Sequence, residues 1–438
     1  MSYNHILYNL LLPLGDLLFN TDFKSSLKSV RALNHKSYQE LLSIQRNRIN
    51  QLLNYATSHS AYYKSLGIER LDNPYEWIKQ FPILNKQTMR ENSDQLLTKE
   101  RKHLKELSSS GSSGFQSTVY LDKKELSLYW ASQVNWWEWA GYKMGDSMIQ
   151  MGVNPKRGLI RGLKDQVFNI KYINSFSLSE AEILELLRSA RSKKIKFICG
   201  YSSSLNLFSK IAIRNNLNGF HLKGVISLGE KMVDSYRENI IRAFHCPVYE
   251  TYGSGEGVLI ASQKDLKSLY INIPHVYLEL LDDNGNEVPE GEMGHVVVTS
   301  LIHYSMPLIR YKIGDLAVKL PGKEYPERRD LDMPLLKKVV GRDTDLLKTP
   351  GGSYLSVHSF TGMFAKYPQI RQFKVIRKSL DKLQIDFVPD EHFHEEILSH
   401  LKKRINEEVT DEFEIFFNRV GFIKPAESGK PQIIQDLS

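Results

Sequence analysis

Two cysteines in 438 residues, Cys199 and Cys246, are too few for a disulfide framework or a Cys/His metal cluster, and their apolar surroundings suit a reducing, cytoplasmic setting. The chain also lacks an apolar run long enough to span a bilayer: Ile6 to Phe19 is broken by Pro13, Gly15 and Asp16. That stretch has neither a basic leader nor a small-residue cleavage site, so it is a poor signal peptide. Two readings of it stay open, an arm packed on the protein's own surface or a weak contact with a membrane surface. A basic tract with interleaved aromatics is missing too, which argues against a nucleic-acid partner. The net charge of +8 is scattered and suits small anionic ligands. No internal repeat is visible, and nothing in the sequence sets an oligomeric state.

What is present is an ordinary globular composition, 41% hydrophobic and 25% charged, at a length that implies two domains. Residues 37–58 and 124–140 read as helices, the second carrying Trp130, Trp136, Trp137 and Trp139 as core side chains. From residue 180 helices and strands alternate: helix 180–193, strand 195–199, helix 203–215, strand 224–228, helix 232–244, strand 248–251. That alternation predicts a large layered α/β domain with a mainly parallel sheet. The texture then turns strand-rich, a β-rich subdomain over about 258–340. A small α+β unit follows, with strands near 373–377, 383–388 and 414–417 and a helix over 393–409. The expected domains are 1–341 and 342–438.

Five stretches carry chemistry. Ser109, Ser110, Gly111, Ser112, Ser113 and Gly114 offer hydroxyls and a backbone free to turn, the donors of a phosphate cradle; a short Ser/Gly linker is the bland alternative. No Gly-Lys-Ser/Thr closes the stretch, so it is not a Walker loop. Tyr252-Gly253-Ser254-Gly255-Glu256-Gly257 follows a predicted strand, where open α/β sheets bind ligands. There Tyr252 suits a planar base and Glu256 a Mg²⁺ beside phosphates, unless the stretch is a surface turn. Gly314-Asp315 puts a carboxylate after a glycine, fit to accept ribose hydroxyls or merely to turn the chain. Arg342 at the domain junction suits a phosphate or an interdomain salt bridge. Lys430, on a glycine-flexed loop, is catalytic or simply solvated.

The order of these motifs, with Phe81-Pro82-Ile83-Leu84-Asn85-Lys86, Gly200-Tyr201-Ser202-Ser203, Leu228-Gly229-Glu230 and Ile309-Arg310-Tyr311, resembles the adenylate-forming superfamily. It is most similar to the phenylacetate–coenzyme A ligase branch and its capsular-polysaccharide relatives, over about residues 40–435. The resemblance implies that Ser109 to Gly114 embrace the ATP phosphates, that Gly229, Glu230, Thr251 and Tyr252 hold the adenine region, and that Asp315 binds the ribose. It further implies Mg²⁺ on Glu256, Arg342 against ribose or phosphate, and Lys430 of a mobile C-terminal domain on the reacting carboxylate and α-phosphate. Tyr201, Ser202, Gly253 and Ser254 would border the acyl pocket. The implied reaction joins a small carboxylic acid to coenzyme A or to an amine. Zinc, held by cysteines in some relatives, is not expected, because residues 258–304 contain no cysteine. Phe115-Gln116-Ser117 stands where the family has Pro-Lys, Ile313 where it often has threonine, and Thr344 where it has a charged hinge residue. Those departures leave open a nucleotide-binding scaffold without turnover.

Overall fold

The computed structural model describes residues 3–108, 118–152, 158–174, 178–342, 346–348, 354–356, 360, 363–364, 366–367, 369–407, 413–424 and 433–437. Those up to Val339, apart from Gly314–Ala317, form a larger compact unit; those from Val340 on, with Gly314–Ala317, form a smaller one.

In the larger unit, helical segments over Tyr3–Ile6, Leu7–Leu11 and Leu12–Phe19 lead through a left-handed Asn20 into the helix Phe23–Leu33. The helix Tyr38–His59 starts where sequence expects it, because Ser37 and Glu40 cap each other's backbone N–H groups. Strands β1 (Lys105–Ser108) and β2 (Thr118–Leu121) pair antiparallel. Asp122 and Glu125 form a second capping box at the head of the helix Lys123–Trp139. Strands β3 (Met148–Gly152), β4 (Ile170–Asn174), β5 (Phe197–Tyr201), β6 (Gly224–Leu228) and β7 (Val248–Ser254) then run parallel in the order β4-β3-β5-β6-β7.

The strand-rich stretch joins this same sheet. Strands β8 (Val258–Ser262), β9 (Leu269–Ile271), β10 (Val276–Leu281), β11 (Met293–Ser300), β12 (Tyr311–Lys319) and β13 (Leu335–Arg342) continue it in the order β7-β8-β9-β13-β12-β11-β10, making 11 strands. The direction changes at β7, whose partner β8 is antiparallel.

Along the parallel strands the core alternates with the two-residue period of a pleated sheet. Ile198 and Val225 face the helices Glu180–Ser192, Ser202–Arg214 and Asp234–Phe244. Phe197, Cys199 and Ile226 face the opposite layer, built from Leu7, Leu12, Leu27, Val30 and Trp137. Each large apolar side chain buried in this way contributes about 1.5–3 kcal/mol. Both cysteines are buried, and burial pushes each thiol up to about 12.

The smaller unit pairs β14 (Leu346–Lys348) with β15 (Tyr354–Ser356). Its main sheet holds β16 (Ile370–Ser379), β17 (Lys382–Pro389), β18 (Glu414–Arg419) and β19 (Ile434–Asp436) in the order β18-β17-β16-β19. The helix Glu396–Glu407 packs Leu401 and Ile405 onto Leu383, Ile385 and Phe387.

Three sequence expectations are revised. The strand expected to end at Thr251 runs to Ser254, so Tyr252, Gly253 and Ser254 are strand residues and only Gly255-Glu256-Gly257 turns. The strand expected over 195–199 sits two residues later, which puts Gly200 and Tyr201 inside it. Trp130 is 45% exposed while Trp136, Trp137 and Trp139 are buried, because position 130 falls on the outward stripe of its helix.

Candidate active site

The site is built where β5, β6 and β7 end, the edge at which open parallel sheets take ligands. The Oγ atoms of Ser202 and Ser227 lie 2.7 Å apart, and the Ser202 hydroxyl also donates to the Glu230 carbonyl at 3.1 Å. Glu230 Oε2 accepts the Ser203 N–H at 2.9 Å, satisfying an orphan donor at the start of the helix Ser202–Arg214. Its carboxylate therefore fixes the turn that follows β6. Gly229 is left-handed, and a Cβ there would lie 2.9 Å from Tyr201 Cε1, so glycine is needed for the aromatic ring to pack. Burial and the neighbouring Tyr172 push the Tyr201 phenol up to about 12. The Thr251 hydroxyl donates to the Ser227 carbonyl at 2.9 Å, tying β7 to β6.

The β7–β8 hairpin presents the acid. Gly253 packs so closely under the returning strand that a Cβ would meet the Val258 carbonyl oxygen at 2.6 Å. Glu256 is only 2% exposed, and Tyr311 at the start of β12 donates its phenol to Glu256 Oε1 at 2.9 Å. At Gly257 a Cβ would lie 2.7 Å from Leu107 of β1 and 3.6 Å from Leu121 of β2. The two strands that bracket residues 109–117 thus pack onto the turn that carries Glu256. Beneath it the His303 ring, fully buried, has neither nitrogen in a hydrogen bond of good geometry. Burial lowers its pKa to about 4 although the Gly257 backbone and the Glu256 carboxylate act to raise it. The buried Ser254 Oγ also lacks a partner.

Tyr311 is itself held from behind. Arg310 adopts a left-handed backbone, makes a bidentate ion pair with buried Glu279, and donates to the carbonyls of Lys79 and Phe81. Burial raises the Glu279 pKa and the arginine opposes that rise. The stretch at Leu84 bonds with β12: Leu84 N donates to the Arg310 carbonyl and Lys312 N to the Leu84 carbonyl.

Of the predicted site residues, the structure gathers Tyr201, Ser202, Gly229, Glu230 and Thr251 at one strand edge, and Tyr252, Gly253, Ser254 and Glu256 on the adjoining hairpin. Asp315 lies on β12, half-buried, and Arg342 ends β13. Ser109, Ser110, Gly111, Ser112, Ser113, Gly114, Thr344 and Lys430 lie outside the described residues. His303 was not singled out from sequence, and Tyr311 only as part of Ile309-Arg310-Tyr311 with no role of its own, since only distant partners mark what they do. Among the described residues no group of three or more His, Cys, Asp or Glu side chains is placed to hold a metal. A lone buried carboxylate nevertheless fits Mg²⁺, which takes one or two protein carboxylates and completes its shell with phosphates and water. The orphaned Ser254 hydroxyl is a further group waiting for a polar ligand.

No family model matches the chain. Protein CapK of Staphylococcus aureus is 23% identical over 367 residues, 79% of this chain and 78% of that protein. The phenylacetate–coenzyme A ligase of Escherichia coli (strain K12) is 22% identical over 338 residues, 71% of this chain and 73% of that one. A crystal structure of 2-hydroxyisobutyryl-CoA ligase in the postadenylation state, in complex with R3-HIB-AMP, superposes with a TM-score of 0.72, covering 93% of this chain and 91% of that one at 16% identity. The chain shares the fold of the adenylate-forming ligases. In sequence it is similar to CapK and to phenylacetate–coenzyme A ligases, and its layered α/β architecture matches theirs in class. The strand edge and the glutamate hairpin adjoin, one lined by backbone groups and hydroxyls, the other carrying a buried carboxylate.

Proposed function

We propose that this AMP-forming ligase converts a carboxylic acid to an acyl-adenylate and passes the acyl group to an acceptor. The observation that carries the reading is the packing of β1 and β2 onto Gly257, since it brings the ends of the Ser/Gly stretch to the hairpin bearing Glu256.

A carboxylate resists substitution because its leaving group would be oxide. In the proposed first step a carboxylate oxygen attacks the α-phosphorus of ATP; the new O–P bond forms as the bond to pyrophosphate breaks, and pyrophosphate leaves with the electron pair. In the second, the acceptor's nucleophile attacks the acyl carbon, AMP departs, and the acceptor's proton is released. Gly229, Glu230, Thr251 and Tyr252 would hold the adenine region, Asp315 the ribose, and the donors of 109–114 the β- and γ-phosphates. Lys430 would bring an ammonium to the carboxylate and α-phosphate, and Arg342 a guanidinium to ribose or phosphate. Glu256 would hold Mg²⁺, which when bound offsets charge on the phosphates. Tyr201, Ser202, Gly253 and Ser254 would border the acid. The acceptor is coenzyme A or an amine, such as an amino sugar or amino acid of a surface polysaccharide.

Pyrophosphate release measured over a panel of carboxylic acids tests this. Release dependent on one class of acid is expected, with Glu256→Ala lowering it on the order of 10²–10³-fold at unchanged secondary structure. ATP binding without release for any acid would favour the scaffold reading. No heat of binding for ATP with Mg²⁺ would overturn both.

A further inference from the structure

The N-terminal segment is half inside the protein and half outside it. Leu7 and Leu12 are buried against the sheet's second layer. Leu10, Leu14, Leu17 and Leu18 on the other side are 56%, 47%, 79% and 77% exposed. An exposed apolar cluster of this kind is a candidate interaction or membrane-contact surface. Among the described residues no helix is long and apolar enough to cross a membrane, so whatever covers the leucines does so from the side.

Charge says what that cover is. Lys24 Nζ stands 5.1 Å from the centroid of the Tyr8 ring and Lys164 Nζ 4.7 Å from that of Phe19. The Lys123 ammonium donates to the Phe19 carbonyl at 2.9 Å. Three cations from three different helices therefore stand against aromatic residues of the same N-terminal segment. The segment's own carboxylates are turned inward: Asp16 accepts from the Thr21 hydroxyl and the N–H groups of Phe23 and Lys24, and Asp22 Oδ1 is buried. Trp130, the one outward tryptophan of its helix, lies two turns along the same stripe as Lys123. A second copy of the chain would bring two cation-bearing faces together with none of the segment's own carboxylates turned outward to pair them. Exposed leucines, a flanking tryptophan and an ammonium rim instead match the layered chemistry of an anionic bilayer surface, acyl chains below and phosphates above.

We propose that the face formed by Leu10, Leu14, Leu17 and Leu18, with Lys24, Lys123 and Lys164 around it, docks the protein on an anionic lipid surface. The leucines enter the acyl–headgroup boundary and the ammoniums pair with lipid phosphates. No covalent step is involved, and the docking is reversible.

Co-sedimentation of the full chain with vesicles tests it. Vesicles of phosphatidylcholine mixed with phosphatidylglycerol should pull the protein down, and phosphatidylcholine alone should do so far less. Raised salt should weaken the binding. Leu17→Asp combined with Leu18→Asp should abolish it while the melting temperature stays within a few degrees of wild type, since both side chains lie in solvent. Lys164→Gln, which leaves the leucines intact, should weaken it about fivefold. The proposal is overturned if the protein stays in the supernatant with anionic vesicles, or binds both vesicle types equally. It is also overturned if analytical ultracentrifugation shows a dimer that the leucine variant dissociates and vesicles do not compete with.

Discussion

Arg310 shows what a single side chain contributes. Its guanidinium joins Glu279, Lys79 and Phe81 in a buried junction directly before Tyr311, the donor to Glu256. Arg310→Met should destabilise the protein by about 3–5 kcal/mol in urea unfolding, because Glu279 is left as an uncompensated buried charge. Adding Glu279→Leu should recover most of the loss, which a purely local packing role for the arginine would not allow. Gly257 makes a second case. Its left-handed backbone and the 2.7 Å separation from Leu107 leave no space for a side chain. Gly257→Val should lower the melting temperature and weaken ATP binding together, read by calorimetry on the folded variant. In the sequence Ile309-Arg310-Tyr311 is legible as a motif. That its arginine is a strut and its tyrosine a hydrogen-bond donor is not, because those roles depend on partners 31 and 55 positions away. His303 is hidden for the same reason.

Elements announce themselves where their ends are chemically marked. Ser37/Glu40, Asp122/Glu125 and Ser179/Glu182 each close a capping box, and the helices they start were legible to within a residue or so. Ser179→Ala should cost about 1 kcal/mol in chemical denaturation. The Lys36 side chain, then the Ser37 backbone and hydroxyl, lower the Glu40 pKa to about 2. A depressed carboxylate stabilises the folded state above its unfolded value near 4.5, and that stabilisation fades as pH falls toward 2. The gap in melting temperature between wild type and Glu40→Gln should therefore be constant above about pH 5 and shrink in acid. Strand ends carry no such mark. Thr251 looked like a terminus because glycines follow it, yet Gly253 is a strand residue kept small by the Val258 carbonyl pressing against it. Likewise the strand-rich stretch reads as a change of texture; only pairing of β8 with β7 makes it the same sheet.

For the whole molecule, the layered α/β class and the alternation from residue 180 were open to a reader of the sequence, since β5 and β6 are each followed by an amphipathic helix, whereas β3 and β4 were not expected. Which strands neighbour one another was not, because β13 pairs with β9 across more than sixty residues. The role proposed for Lys430 leads to a test: Lys430→Ala should nearly abolish acid-dependent pyrophosphate release while heats of ATP binding persist. Full release in that variant would remove the lysine from the chemistry. The two cysteines make such questions easier to pursue. Sealed in the larger unit with thiols too basic to ionise, Cys199 and Cys246 should ignore maleimide until the chain unfolds. The native protein is in effect blank to sulfhydryl dyes. One engineered surface cysteine in each unit would give a fluorophore pair without first stripping the background, and with it a direct test of whether the two units move relative to each other during turnover.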